Sequence, residues 1–190
     1  MNYTLGKLYL YDAEQFSEAF PLCEKSCSLN AGEGCFYLGV LYYIKLDDQQ
    51  AGQQAKTYYE KACGLNYGLG CNALGFHYED GQGVKQDYQQ AKTYYEKACG
   101  LDVGLGCYNL GLLYGRGKGL RQDYQQAKTF YEKACGLNFR DGCNKLGQLY
   151  YSGQGVRQNF QTAKEYFGKA CDLGMQISCD NYRGLNEKGY

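Results

Sequence analysis

The chain has no tryptophan, one histidine, one proline and no net charge, because twenty lysines and arginines balance twenty aspartates and glutamates. Without a basic stripe it lacks the phosphate contacts that dominate nucleic-acid affinity, so nucleic acid is not expected as a partner. The solitary His77 and the absence of any C-x-x-C spacing remove the usual zinc ligand sets, and no metal or cofactor is expected. No apolar run approaches the roughly 20 residues that span a bilayer. Residues 1–12 also lack the basic stretch, apolar core and cleavage site of a secretory leader.

What the chain does have is cysteine, tyrosine and repetition. Of eleven cysteines in 190 residues, ten form five pairs: Cys27/Cys35, Cys63/Cys71, Cys99/Cys107, Cys135/Cys143 and Cys171/Cys179. Each pair stands 36 residues after the one before. A period of this size marks a solenoid, in which one supersecondary unit stacks repeatedly because it cannot bury its apolar face alone. Twenty-two tyrosines and eight phenylalanines supply aromatic bulk at helical spacing.

The third copy shows the pattern. Asp87 and Gln90 suggest a capping box, with the aspartate accepting an early backbone N–H and the glutamine reaching back. Ala91, Tyr94, Tyr95, Ala98 and Cys99 then recur on one helical face. Gly100 suits a left-handed helix end with Leu101 packing back, and Asp102 suits the cap of a second helix. That helix carries Leu105, Cys107, Leu110, Leu113 and Tyr114, with Gly104, Gly106 and Gly111 where a neighbour can approach. Gly115, Gly117 and Gly119 turn the chain toward the next copy, so each unit reads as an αα-hairpin.

In such a hairpin Cys99 ends the first helix and Cys107 lies about a turn into the second, so a disulfide would close each unit. A loop of about nine residues gives roughly 2.6 kcal/mol per bridge in the chain-entropy estimate. Reduced core thiols and metal ligation are the alternatives, the latter against the spacing noted above. Cysteine-rich chains belong to oxidising compartments. The chain is therefore read as secreted or periplasmic, its leader absent from this sequence, with a cytosolic dithiol protein as the alternative. Cys23 falls outside the pattern, in register with Tyr59, Tyr95, Tyr131 and Phe167. It replaces a core aromatic and is a candidate free thiol.

The expected organisation is one all-α solenoid over 1–190: an N-terminal capping helix at 1–12, then repeats at 13–47, 48–83, 84–119, 120–155 and 156–190, the last including a C-terminal cap. Pro21, in register with Thr57, Thr93 and Thr129, should make the first long helix start late or kink. The junction at 44–50 lacks the paired glycines of later copies, and 184–190 should fray.

The unit Ala91-x3-Tyr95-x2-Ala98, followed by Leu110-Gly111-x2-Tyr114-x2-Gly117-x-Gly119, resembles the Sel1-like repeat, a relative of the tetratricopeptide repeat. With its cysteine pair it is similar to the Helicobacter cysteine-rich protein family over nearly the whole chain. The resemblance implies a right-handed α-α superhelix and a secreted or periplasmic protein. It also implies a β-lactamase or penicillin-binding label, and hence a β-lactam or peptidoglycan-related ligand.

The residues support that label poorly. None of Ser17, Ser26, Ser28, Ser152 or Ser178 is followed by lysine in an S-x-x-K arrangement, and His77, in register with Leu41, Leu113 and Leu149, reads as a packing residue. The favoured reading is an interaction scaffold binding a protein or peptide on its concave face. The position before the recurring second-helix leucine varies as Tyr37, Ala73, Asn109, Lys145 and Asn181. By likeness to tetratricopeptide relatives, Asn109 and Asn181 are candidate backbone clamps. Lys92, Lys128 and Lys164 are candidate carboxylate contacts.

Overall fold

The structure is a computed structural model that describes residues 13–44, 49–81 and 84–190. The proposed capping helix at 1–12 and most of the 44–50 junction lie outside the described residues. The chain divides into two units, Met1–Leu101 and Asp102–Tyr190. Unit 1 holds α1 (Ala13–Ser28), α2 (Gly32–Ile44), α3 (Gln49–Gly64), α4 (Gly68–Asp80) and α5 (Tyr88–Gly100). Unit 2 holds α6 (Gly104–Arg116), α7 (Tyr124–Gly136), α8 (Arg140–Ser152), α9 (Phe160–Asp172) and α10 (Gln176–Glu187). Odd-numbered helices are first helices of a repeat, even-numbered ones second helices, and no strand occurs among the described residues.

The first helices α5, α7 and α9 start where the sequence offers an acceptor. Asp87 Oδ1 takes the N–H groups of Gln89 and Gln90 at 2.9 and 3.0 Å, and Asp123 does the same for Gln125 and Gln126. The reciprocal half of the capping box is replaced by something more useful to stacking. The backbone N–H of Asp87 donates to the Tyr78 carbonyl at 2.8 Å, that of Asp123 to Tyr114 at 2.9 Å, and that of Asn159 to Tyr150 at 2.9 Å. One bond thus satisfies an orphan carbonyl at the end of a second helix and fixes the start of the next repeat.

The turn inside each hairpin corrects two expectations. Gly100 is simply the last residue of α5, and Asp102 caps nothing: it takes the left-handed conformation, φ 57°, as do Asn30, Asn66 and Asn138 at 58–61° and Gly174 at 85°. Around Asn66 the bonds Asn66 N–H to Cys63 C=O and Tyr67 N–H to Ala62 C=O, at 3.1 and 2.9 Å, make a Schellman ending. The second helices are instead preceded by Tyr67, Val103, Phe139 and Met175, none of which offers a side-chain cap.

Four bridges join residues eight apart, Cys27–Cys35, Cys63–Cys71, Cys135–Cys143 and Cys171–Cys179, with Cα atoms 4.4 to 4.6 Å apart. Cys99 and Cys107 are also disulfide-bonded. Neither reduced core thiols nor metal ligation describes these ten residues.

Successive repeats meet through a buried aromatic set on a glycine. Tyr59 lies on Gly39 and Tyr95 on Gly75 in unit 1; Tyr131 lies on Gly111 and Phe167 on Gly147 in unit 2. A Cβ on Gly111 would stand 2.5 Å from the Tyr131 ring. Ala55, Ala91, Ala127 and Ala163, with Leu38, Leu74, Leu110 and Leu146, complete the recurrent core. Full burial of one such aromatic contributes roughly 1.5–3 kcal/mol.

Of the two alternatives for Pro21, a late start is removed, because α1 begins at Ala13 and carries the proline inside it. Residues 184–190 do not fray: α10 runs to Glu187, the Tyr190 ring sits 4.5 Å from that of Phe160, and Lys164 Nζ donates to the Tyr190 carbonyl.

Two outcomes follow for the oxidised protein. Gly111→Ala should lower unfolding free energy by about 1–3 kcal/mol through overpacking. Gly136→Ala, in a helical position with nothing within 4 Å, should raise it by about 0.5–1 kcal/mol; urea titration measures both. Maleimide labelling in denaturant should modify one thiol, Cys23, before reduction and all eleven cysteines afterwards, read by intact mass.

Candidate interaction surface

Four first helices carry a lysine in register, Lys56 and Lys92 in unit 1 and Lys128 and Lys164 in unit 2. Lys92 pairs with Glu96 at 3.3 Å and Lys128 with Glu132 at 2.8 Å, both i,i+4 pairs, and Lys56 with Glu60 at 3.2 Å. Beside them runs a series of stacked rings. Tyr42 lies on Tyr58 and Tyr78 on Tyr94 in unit 1; Tyr114 lies on Phe130 and Tyr150 on Tyr166 in unit 2, with centroids 5.2 to 5.7 Å apart. The ammonium of Lys56 stands 6.0 Å from the Tyr78 centroid. In the last copy Asn186 takes the tyrosine position, and Lys164 contacts its Oδ1 at 3.3 Å and lies 6.0 Å from the Tyr182 ring. The three candidate lysines are thus engaged within the protein, although an exposed i,i+4 pair is worth only about 0.3–0.5 kcal/mol and exchanges readily.

The candidate asparagines lie elsewhere. Asn109 is five residues before Tyr114 on α6, and Asn181 five before Asn186 on α10, about 140° around each helix from the lysine surface. Asn109 is half-buried and Asn181 exposed. Asn181 lines an open pocket of about 280 Å³ with Gln148, Tyr151, Phe167, Asp180 and Lys188. Lys145, the intervening member of this row, donates to Gln148 Oε1 at 3.0 Å. Burial, then the nearby Arg116, lowers its pKa, while Asp141 opposes the shift. Arg116 also stands at a position that varies from copy to copy, its equivalents being Ile44, Asp80, Ser152 and Lys188.

A two-repeat alternation underlies this row. Phe36 packs on Tyr67 at 5.6 Å and Tyr108 on Phe139 at 5.4 Å, each within its own unit. At the corresponding position Asn144 is buried and accepts from Ser178 Oγ at 3.0 Å. Ser178 stands where earlier copies have Gly34, Gly70, Gly106 and Gly142.

Other chemistry-bearing residues have local roles. His77 is buried between the rings of Tyr43 and Tyr59, at 5.4 and 5.2 Å. Ser28 and Ser152 donate to the carbonyls of Lys25 and Gln148. Cys23 is a half-buried free thiol whose pKa burial pushes up, which disfavours the reactive thiolate. Among the described residues no group of His, Cys, Asp or Glu could hold a metal ion, and no helix is long and apolar enough to cross a membrane.

A regular interior under a varying exterior defines the class: an all-α protein of stacked helix hairpins, the architecture of repeat scaffolds for interaction. Within that class the chain belongs to the Sel1 repeat family, whose model matches residues 32–67, 68–103, 104–139 and 140–175. Among solved structures it is similar to Helicobacter pylori cysteine rich protein B, at 40% identity and TM-score 0.58, over 70% of this chain and 95% of that one. A protective antigen of uropathogenic Escherichia coli with an SLR fold matches at 25% identity and TM-score 0.80; the likeness covers 90% of this chain and only 36% of the antigen. A Sel1 repeat protein of Oxalobacter formigenes shares the fold at 24% identity and TM-score 0.77, over 90% of this chain and 69% of its own. No curated protein matches.

The tyrosines of these surfaces set a pH limit. Burial, then Glu33 and Tyr37, pushes the Tyr67 pKa up to about 12, and burial also raises Tyr59, Tyr95 and Tyr131. Because folding favours their neutral form, this stability is fully present below the unfolded pKa of about 10 and is lost as pH rises toward the folded values. The urea midpoint should be the same at pH 8 and pH 9 and lower at pH 11; Tyr67→Phe should reduce that drop.

Proposed function

We propose that the chain is an exported Sel1 repeat scaffold, secreted or periplasmic, that holds a segment of polypeptide along its second helices, with Asn109 and Asn181 of unit 2 as backbone contacts. One observation carries the reading. The apolar positions that recur from copy to copy are buried, whereas Asn109, Lys145 and Asn181 stand at a position that varies and are half-buried or exposed. Because the residue at this position differs in every copy but two, the stacking common to all copies does not dictate it. Asparagine is suited to the task because its amide both donates to and accepts from a peptide unit. Lys92, Lys128 and Lys164 serve as secondary contacts for partner carboxylates, exchanging weak internal pairs for external ones. The disulfides support export, since bridges of this number persist in oxidising compartments.

Selection of a displayed ten-residue peptide library on the oxidised protein, counter-selected on the reduced protein, tests the scaffold. Selected peptides should bind saturably, and the Asn109→Ala/Asn181→Ala double variant should weaken them by more than about fivefold, a change of roughly 1 kcal/mol. Absence of any saturable binder would overturn the reading.

A further inference from the structure

Helix α10 carries a glycine that its packing does not call for. Gly184 lies inside the helix, where glycine is less stable than alanine, and a Cβ on it would meet nothing within 4 Å. The same register holds Val40, Phe76, Leu112 and Gln148 in the earlier copies. With no side chain there, the surface opens into the pocket of about 280 Å³ formed by α8, α10 and the ring of Phe167, all within unit 2. Its floor is apolar. Phe167 and Leu185 are buried, and Phe167 stands where earlier copies have tyrosine, so it brings no hydroxyl. One wall is Tyr151, whose ring meets Phe160 edge-on at 5.4 Å and remains 43% exposed. The rim is polar: Asn181 and Lys188, three residues before Gly184 and four after it, fall on the same stripe of α10. Among the described residues their side chains make no hydrogen bond or ion pair. Asp180, the carboxylate of the pocket, is matched by Arg183 at 3.4 Å and by Gln176 at 3.1 Å. It stands about 12 Å from Lys188 along the helix. The charge left unmatched is that of Lys188.

An apolar floor, an exposed ring and an unpaired ammonium are together the complement of an aromatic group beside a carboxylate. A closed cavity of roughly 150 Å³ takes benzene, so this pocket has room for a phenylalanine or tyrosine ring, which can pack on Tyr151 offset or edge-on. We propose that Gly184 opens a slot for one aromatic side chain of a bound polypeptide, with a neighbouring acidic residue of the same segment paired to Lys188 at the rim. This rests on the scaffold reading and names the chemistry of its partner. Asn181 holds the backbone, the slot takes the ring and Lys188 takes the charge. The ring supplies most of the affinity, because an exposed pair at the rim contributes little.

The test uses the full oxidised chain, ¹⁵N-labelled, titrated at fixed ionic strength with acetyl-Glu-Phe-Glu-amide, which places a carboxylate on either side of the ring. Acetyl-Glu-Ala-Glu-amide, acetyl-Glu-Leu-Glu-amide and acetyl-Gln-Phe-Gln-amide are its counterparts. The phenylalanine peptide should shift the Gly184 backbone amide and the Asn181 side-chain amide saturably. Alanine for phenylalanine should weaken binding about tenfold, as loss of a buried ring requires, and leucine and glutamine replacements about threefold each. G184L, which restores the residue of the third copy, should weaken the peptide about tenfold while raising the urea midpoint. Its lost affinity therefore does not reflect unfolding. G184A should raise the midpoint and weaken the peptide less, and K188Q should bind the glutamate and glutamine peptides alike. No saturable shift, alanine or leucine peptides as tight as the phenylalanine one, or unchanged affinity in both Gly184 variants would overturn the slot. A glutamine peptide as tight as the glutamate one would overturn the pairing with Lys188. Self-association of the free chain that G184L abolishes would assign the slot to a second copy and also overturn the proposal. Library-selected peptides that bind G184L as well as the unsubstituted protein would remove the slot alone and leave the scaffold standing.

Discussion

The contact on which the rest depends is an aromatic ring lying on a glycine. Tyr59 on Gly39, Tyr95 on Gly75, Tyr131 on Gly111 and Phe167 on Gly147 bring a first helix so near the preceding second helix that no Cβ fits between them. That approach fixes the distance between helices, and the carbonyl-to-cap bonds from Tyr78, Tyr114 and Tyr150 fix their register. The disulfides act one level lower. Each joins residues eight apart and holds the two helices of one hairpin as a pair before that pair stacks.

A fold assembled from identical contacts separates its interior from its exterior. Alanines, leucines and ring-on-glycine contacts recur because every junction asks the same of them. The exposed side of the second helices carries no such demand, and there the copies diverge into Tyr37, Ala73, Asn109, Lys145 and Asn181. The proposed recognition draws on this divergence rather than on a pocket enclosed by a single core.

Much of the fold was legible because repetition displays it. The 36-residue period placed every hairpin, the bridges and the glycines on which rings stack. The turn residue was misassigned because Gly100 and Asp102 both suit a left-handed position. Ser28 and Asp172, in register with Gly100, already indicated that glycine is not required there. The ordered tail depended on the Tyr190–Phe160 contact, a tertiary pairing with no equivalent in earlier copies. The site was less legible for a geometric reason. Asparagines and lysines chosen by type fall on different faces, a separation that only the helix geometry reveals.

The short span of the bridges has a mechanical consequence. A bridge between residues eight apart shields only the turn it closes, so under tension the remaining 28 or so residues of a 36-residue repeat can still pay out, about 100 Å at full extension. The staples therefore do not make the chain inextensible. A repeat pulled out of the stack keeps the ends of its two helices joined, which gives it a preformed point from which to rewind once the load is released.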